Sequence, residues 1–371
     1  MPLYLTEDQV MLRDTARQLM ADEGSIAGQL RKYRDMGCKD GFGHALWKQL
    51  AELGFTGILI DEADGGLGLG HVEAGIVLEE IGRNLTPSPF LISAVAVVEA
   101  LKDTPHAQRW FPGILSGDTV AALAVDEGPK HRPEAIAMRG ERAGNGFRLL
   151  GRKQFVVQGA SADLIVVAAR TDEGVTLFAV EKDSKGLEIE GVRLADSSIG
   201  ARLDFQGVEV NADAVIGEVG GGEAVLGRVL DAGRAGAASE MVGLGSAAMG
   251  MTVDYLKQRK QFGRLIGEFQ VLQHRAAHLY SELEIARSAA LKAQQLLDEG
   301  SPEAEAMVSV AKAKAGRAST LAVQEGVQMH GGIGMTDEYD IGLYMKRDRA
   351  LNELFGDSNY HADKLARMKG Y

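Results

Sequence analysis

"RKQFGRLIGEFQ" at 259–270 and "QMHGGIGMTDEY" at 328–339 are the two stretches whose reading decides the fold. Each interrupts a run of apolar residues recurring at the helical period. Four such runs, 223–258, 268–299, 303–329 and 338–369, follow one another across short connections. Long helices joined by short loops pack antiparallel, so the C-terminal part is expected to be a four-helix bundle. Gly236, Gly243 and Gly250 recur every seven residues on the first of these helices and are expected to allow close helix–helix approach. In the first connection Arg259, Gln261 and Gln270 are polar hands around Phe262 and Gly263. In the second, Gly331, Gly332 and Gly334 bare the backbone near a helix N-terminus, where N–H groups suit a phosphate. No Gly-Lys-Ser/Thr follows, so this is not a Walker loop. Taken singly, each connection is equally well an ordinary turn.

Upstream, the period changes to that of strands. "DTVAALAVDE", "GFRLLGRKQFVVQG", "ADLIVVAART", "GVTLFAVEKD" and "RLDFQGVEV" are short runs rich in β-branched residues, separated by Gly, Asp and Asn turns. No helical run lies between them, which favours an antiparallel β domain over a Rossmann unit. The first 118 residues return to the helical period. Thr6 is placed to cap a helix with Val10, Leu12, Ala16, Leu19 and Met20 on its apolar stripe. "GHALWKQLAELGF" ends a second helix at Gly54, and "EADGGLGLG" (62–70) is too glycine-rich for anything but a loop. The chain is therefore α+β in three blocks: a helical domain over 1–118, a β domain over 119–217 and a helical bundle over 218–371.

Composition excludes several classes of function. A formal net charge of −12 argues against a nucleic-acid or membrane-surface partner. Cys38 is the only cysteine, so an intramolecular disulfide is impossible. The start lacks the pattern of a signal peptide, and no apolar run reaches the roughly 20 residues of a spanning helix, so a cytoplasmic protein is expected. His274, His278, His330 and His361 are scattered, and no metal site is expected.

Together, in this order and separation, the two connections resemble the C-terminal bundle of the acyl-CoA dehydrogenase family. "LAELGFTGILIDEADGGLGLG" is similar to that family's N-terminal signature, with Asp61 where a Pro usually stands, and "ADLIVVAART" resembles a strand of its middle domain. The resemblance spans nearly the whole chain. It implies a helical domain, a β domain and a four-helix bundle; FAD held across a subunit interface in a dimer or tetramer; desaturation of an acyl-CoA between the α and β carbons; and an electron-acceptor flavoprotein as partner. It also implies that a carboxylate removes the α-proton while the flavin takes the hydride.

Against that pattern the chain departs at several positions. The family's usual base is a Glu after a Tyr; here Phe355 takes the Tyr place and Gly356 the Glu place, with Asp357 one residue late. Other members set the base before an Arg on the first bundle helix; here that pair reads Gly233–Arg234, and the nearest acid on the helix is Glu240. Glu240 and Asp357 are the candidate bases, with Arg234 beside them; pairing of Glu240 with a cation, and a capping role for Asp357, are the competing readings. On the β side "VDEGPKHRPEA" (125–135) lacks the family's Gly-Ser-Asp, and Val157 stands where a hydroxyl would meet the flavin. The cofactor hands kept are those of the bundle: Arg259, Gln261, Phe262, Gln270, Gln328, Gly331 and Gly332. Three functions are compatible with this pattern. The chain is a subunit completing the FAD site of a second acyl-CoA dehydrogenase subunit, a self-sufficient dehydrogenase using Glu240 or Asp357, or a flavin-dependent monooxygenase on the same scaffold.

Overall fold

The computed structural model describes residues 3–371. By compactness the chain falls into two discontinuous units: residues up to Arg31 with 71–86 and 234–371, and residues 32–70 with 87–233. The elements themselves change character where the periodicity does. Helices α1 (Glu7–Asp22), α2 (Lys32–Asp35), α3 (His44–Glu52), α4 (His71–Asn84), α5 (Val97–Leu101) and α6 (Pro105–Leu115) precede the first strand. Thr6 closes a capping box with Gln9 at the start of α1: its hydroxyl accepts from the Gln9 N–H, and its own N–H donates to Gln9 Oε1.

Eight strands form one sheet: β1 (Ala121–Ala124), β2 (Arg139–Ala143), β3 (Gly146–Val157), β4 (Leu164–Thr171), β5 (Gly174–Glu181), β6 (Leu187–Arg193), β7 (Ile199–Asn211) and β8 (Val215–Ile216). Their order is β6-β7-β3-β2-β4-β5-β8, with β1 beside β4. The sheet is mixed rather than wholly antiparallel, because β1 pairs with β4 in parallel from Ala121↔Leu164 to Ala124↔Val167. The hairpin of β2 and β3 intervenes in sequence, so the chain re-enters beside β1 running the same way. Strand β4 is buried on both faces, which explains why it reads as a continuous apolar run instead of an alternation. Phe147 and Phe178 meet edge to face at 5.2 Å in the core beneath it.

Beyond the sheet come α7 (Gly222–Gln258), α8 (Gln270–Asp298), α9 (Ala304–His330), α10 (Ile341–Glu353) and α11 (Ser358–Met368). The stretch expected to be one helix over 338–369 is two, broken at 354–357. Between α7 and α8 the chain forms a hairpin of β9 (Lys260–Gln261) and β10 (Arg264–Leu265). Its two loop residues, Phe262 and Gly263, have φ of 53° and 79°, the left-handed pair that a tight two-residue hairpin requires.

Helices α4 and α7 touch through their backbones. A Cβ on Gly82 would lie 2.0 Å from the Glu240 carbonyl oxygen, and one on Gly243 would lie 1.8 Å from that of Glu79. Gly243 is therefore a packing glycine, as its spacing suggested, but Gly250 faces open space. No helix among the described residues is long and apolar enough to cross a membrane.

This difference predicts opposite outcomes for two substitutions on one helix. Gly243→Val forces α4 and α7 apart and should cost more than about 2 kcal/mol, within the range for overpacking a filled core. Gly250→Ala should be neutral or stabilise by up to about 1 kcal/mol, the helix-propensity gain. Denaturation midpoints of the two variants measure the contrast; equal effects would show that the crossing is not tight.

Candidate active site

The break between α10 and α11 is the turn that carries Phe355, Gly356 and Asp357. Phe355 and Gly356 are both left-handed, with φ of 60° and 99°. Two carbonyls turned inward by this conformation meet three basic side chains. Phe355 O accepts from Arg234 Nε of α7 at 3.3 Å and from His361 Nε2 of α11 at 3.1 Å. Gly356 O accepts from Lys312 Nζ of α9 at 3.0 Å, and the same ammonium donates to Leu351 O at 3.0 Å. Arg234, Lys312 and His361 are all buried. Burial, reinforced by the Arg234 charge, pushes Lys312 down to about 7 against the pull of Asp348, Asp357 and Glu353. His361 is pushed down to about 2, by burial first and then by Lys312 and Arg234. Its Nε2 must carry the proton it gives to Phe355, which leaves a buried Nδ1 with no hydrogen-bond partner.

The ring of Tyr360 occupies the space that a side chain at residue 356 would need. A Cβ on Gly356 would lie 2.4 Å from Tyr360 Cδ1. Arg234 holds that ring in place, with Nη2 3.3 Å from the phenol oxygen and the guanidinium 5.7 Å from the ring centre.

Neither candidate base is a free carboxylate. Asp357 is the N-cap of α11, and one of its oxygens accepts from the N–H groups of Asn359 at 3.0 Å and Tyr360 at 2.8 Å. Glu240 is buried on α7 and takes two hydrogen bonds from Arg347 of α10, Nε at 2.8 Å and Nη2 at 2.6 Å. The paired and capping alternatives are what these contacts describe. Arg234 is a buttress of the 354–357 turn in this geometry. Sequence reasoning missed Lys312 and Tyr360, and counted His361 only among the scattered histidines; the one local signal was a basic or aromatic residue in an otherwise apolar stripe.

At the opposite end of α9 the bundle-side residues come together. Leu256, Ile266 and Met329 form a small core with Tyr255, Phe269 and Leu272, joining the end of α7, the hairpin, the start of α8 and the end of α9. On this footing Arg259, Gln261, Gln270 and Gln328 all lie exposed. Phe262 is 90% exposed at the hairpin tip, its ring 6.2 Å from that of Phe269. Gly331 and Gly332 are exposed too, and a Cβ on either would meet nothing. Packing therefore does not explain these glycines; an unobstructed backbone does. A guanidinium, three amides, an aromatic face and bare peptide groups form a set suited to a nucleotide diphosphate.

On the sheet, Val157 ends β3 opposite Gly200, between two left-handed residues, Phe155 with φ 53° and Gln158 with φ 63°. The 125–135 segment is braced internally. Lys153 is wholly buried, with Nζ 2.7 Å from Glu127 Oε1 and 2.9 Å from Val125 O, while Asp126 meets His131 Nδ1 at 2.9 Å. Among the described residues no group of three metal-ligating side chains converges.

Residues 6–118 match the model of the acyl-CoA dehydrogenase N-terminal domain, and residues 220–369 that of the C-terminal domain. Mitochondrial isovaleryl-CoA dehydrogenase of Solanum tuberosum is 33% identical over 83% of this chain and 78% of its own length. Acyl-CoA dehydrogenase FadE12 of Mycobacterium tuberculosis is 30% identical over 93% of this chain and 91% of its own. Among solved structures, a variant of the Tcur3481–Tcur3483 steroid ACAD superposes with a TM-score of 0.90 at 28% identity, covering 98% of both chains.

The buried bases beneath the turn set a pH signature. The folded protein holds His361 deprotonated down to about 2, whereas the unfolded chain binds that proton near 6.5. Between these values the unfolded state carries the extra proton, so stability falls as pH drops below about 6.5. His361→Gln should flatten the acid limb of the denaturation midpoint against pH; an unchanged limb would place the acid sensitivity elsewhere.

Proposed function

The chain belongs to the acyl-CoA dehydrogenase family, and from that premise we propose that it works as one subunit of a heteromeric acyl-CoA dehydrogenase. The family comprises FAD-dependent oxidoreductases acting on CH–CH donors. In this reading the chain lends the nucleotide-side groups of a FAD site, and a second, related subunit lends the base. The observation that carries it is the Gly356–Tyr360 contact: the position of the usual base has no side chain and no room for one.

FAD, when bound, supplies the acceptor for the hydride that leaves the β carbon. Removing the α-proton needs a carboxylate free to face the α carbon. Asp357 is committed to capping α11 through one oxygen, and the buried Glu240 is held by Arg347 through one of its own. What this chain offers instead is binding. Arg259 would meet the negative charge of the diphosphate, Gln261, Gln270 and Gln328 would direct hydrogen bonds, and Phe262 would offer a ring face. Gly331 and Gly332 would let the backbone approach closely. Val157 can pack against a ring but cannot donate to it. The likeness to the Tcur3481–Tcur3483 steroid ACAD supports both the paired assembly and a bulky acyl group as substrate.

Flavin content decides the reading. The full chain purified alone with excess FAD should retain far less than one FAD per chain, and an acyl-CoA should not bleach what it retains. Mixed with a family subunit that has the Tyr-Glu pair, it should form a complex that binds FAD and reduces it with acyl-CoA; Arg259→Ala in this chain should weaken that binding. One FAD per lone chain, reduced by acyl-CoA and slowed at least ~10²-fold by Glu240→Gln, would overturn the proposal in favour of a self-sufficient enzyme.

A grafted carboxylate gives a second test. Gly356→Glu alone should confer no α-proton exchange, because Tyr360 blocks the side chain and the left-handed backbone resists any Cβ. Exchange conferred by the single variant would show that the turn tolerates a base.

A further inference from the structure

Residues 331–338 form the loop that carries the two exposed glycines, and both its ends are tied to one imidazole. His330 is the last residue of α9 and is buried. Its Nδ1 lies 2.7 Å from Gly326 O, one turn back in the helix, and a carbonyl can only accept. Nδ1 therefore carries the proton, and Nε2 is left as an acceptor. At 3.2 Å from Nε2 stands the hydroxyl of Tyr339, which donates to it. Two tilted aromatic rings touch the imidazole, Tyr255 of α7 at 4.5 Å and Tyr339 at 4.7 Å, centre to centre. The loop so closed contains Gly331, where φ 65° and ψ −139° take the chain out of the helix. From outside, Arg31 holds the same loop through Asp340 Oδ1 at 2.7 Å and the carbonyl of Asp337 at 2.6 Å.

Gly331 and Gly332 have no Cβ contacts, and the short 3-10 turn over Gly331–Met335 is held locally by Gly334 packed on Val327 and His330 and by Thr336 bonded to Ile333 O. Where this turn sits is set by what grips its ends. Arg31 and Tyr339 are both partly exposed, whereas the His330 imidazole that joins the loop's ends is buried beside Tyr255.

We infer that His330, as a neutral Nδ1–H imidazole bonded to Tyr339, is a positioning residue for the FAD site, fixing the 331–338 backbone in its cofactor-binding shape. This rests on the proposed reading of that backbone as part of a FAD site. The imidazole touches no reacting atom and acts only through the loop. Burial holds His330 below the ordinary histidine range, which keeps Nε2 an acceptor at neutral pH. The groups in contact with it are Tyr255 of α7 and Tyr339, and the Tyr339 hydroxyl in turn feels Tyr255, Asp340 and Asp254. Protonation would turn Nε2 into a second donor facing the Tyr339 hydroxyl, so the loop should loosen on acidification.

The test is a double-mutant cycle on the full chain in its FAD-binding assembly. His330→Asn keeps a donor for Gly326 but does not reach Tyr339; Tyr339→Phe keeps the ring and removes the hydroxyl. Each should weaken FAD binding about fivefold, the fold-change of one neutral hydrogen bond, and the double variant should lose no more than either alone. Hydrogen exchange of amides 331–338 should speed up in both single variants while the 354–357 turn is unchanged. Unchanged affinity and exchange, or fully additive losses, would overturn the inference and leave the proposed function standing. Faster exchange with unchanged affinity would overturn it too, by separating the loop from the cofactor. A wild-type chain that binds no FAD, alone or with any family subunit, would overturn the proposed function and this inference with it.

Discussion

The crossing of α4 and α7 is the constraint on which the helical unit depends. Backbone meets backbone through Gly82 and Gly243, so neither helix can slide or roll by a residue without a clash. That contact pins residues 240–243 of α7. It places Glu240 where water is excluded, and a buried carboxylate must then find a cation; Arg347 of α10 provides one. It also sets the height of Arg234, six residues earlier and about 9 Å along the axis, level with the turn at 354–357. One close approach thus helps determine both why Glu240 is tied and what holds the turn.

That turn shows how a site can lose one chemistry and remain ordered. Three basic groups converge on it, and burying them costs free energy that carbonyl acceptors must offset. The left-handed Phe355 and Gly356 expose those carbonyls to Arg234, His361 and Lys312. Asp348, held by Ser319 and Thr320, adds compensating negative charge nearby. The unpartnered Nδ1 of His361 remains a local cost of about 1–3 kcal/mol, which the rest of the network carries. The result is a turn whose two inward carbonyls are each bonded to buried basic groups. The exposed end of the bundle has the opposite logic. There the polar groups face outward, Gly331 and Gly332 touch nothing, and His330, beside Tyr255 and bonded to Tyr339, joins the loop's ends.

Much of the fold was legible in the sequence because periodicity reports burial directly. The long stretches at the helical period became α7, α8 and α9 within a residue or two, and the β-branched runs became strands. The break between α10 and α11 was hidden, because apolar spacing continues across 354–357 and the residue at which the helix stops, Leu354, is not a usual breaker. The parallel pairing of β1 with β4 was equally hidden, since strand direction depends on which distant strand the chain rejoins. The hairpin at 260–265 was masked by Phe262, a bulky residue in a conformation that glycine or asparagine usually takes.

What the sequence determined by itself was the family, the order of helical and β blocks, and the absence of a Glu at the usual base position. These are properties of residue identity and spacing along one chain. Tertiary structure alone decided the state of each remaining carboxylate and the room around Gly356. Whether Glu240 is free depends on Arg347, 107 residues away, and the emptiness at Gly356 depends on where the Tyr360 ring lies. Charge pairing and occupied volume are relations between groups brought together by folding, and no one-dimensional pattern contains them.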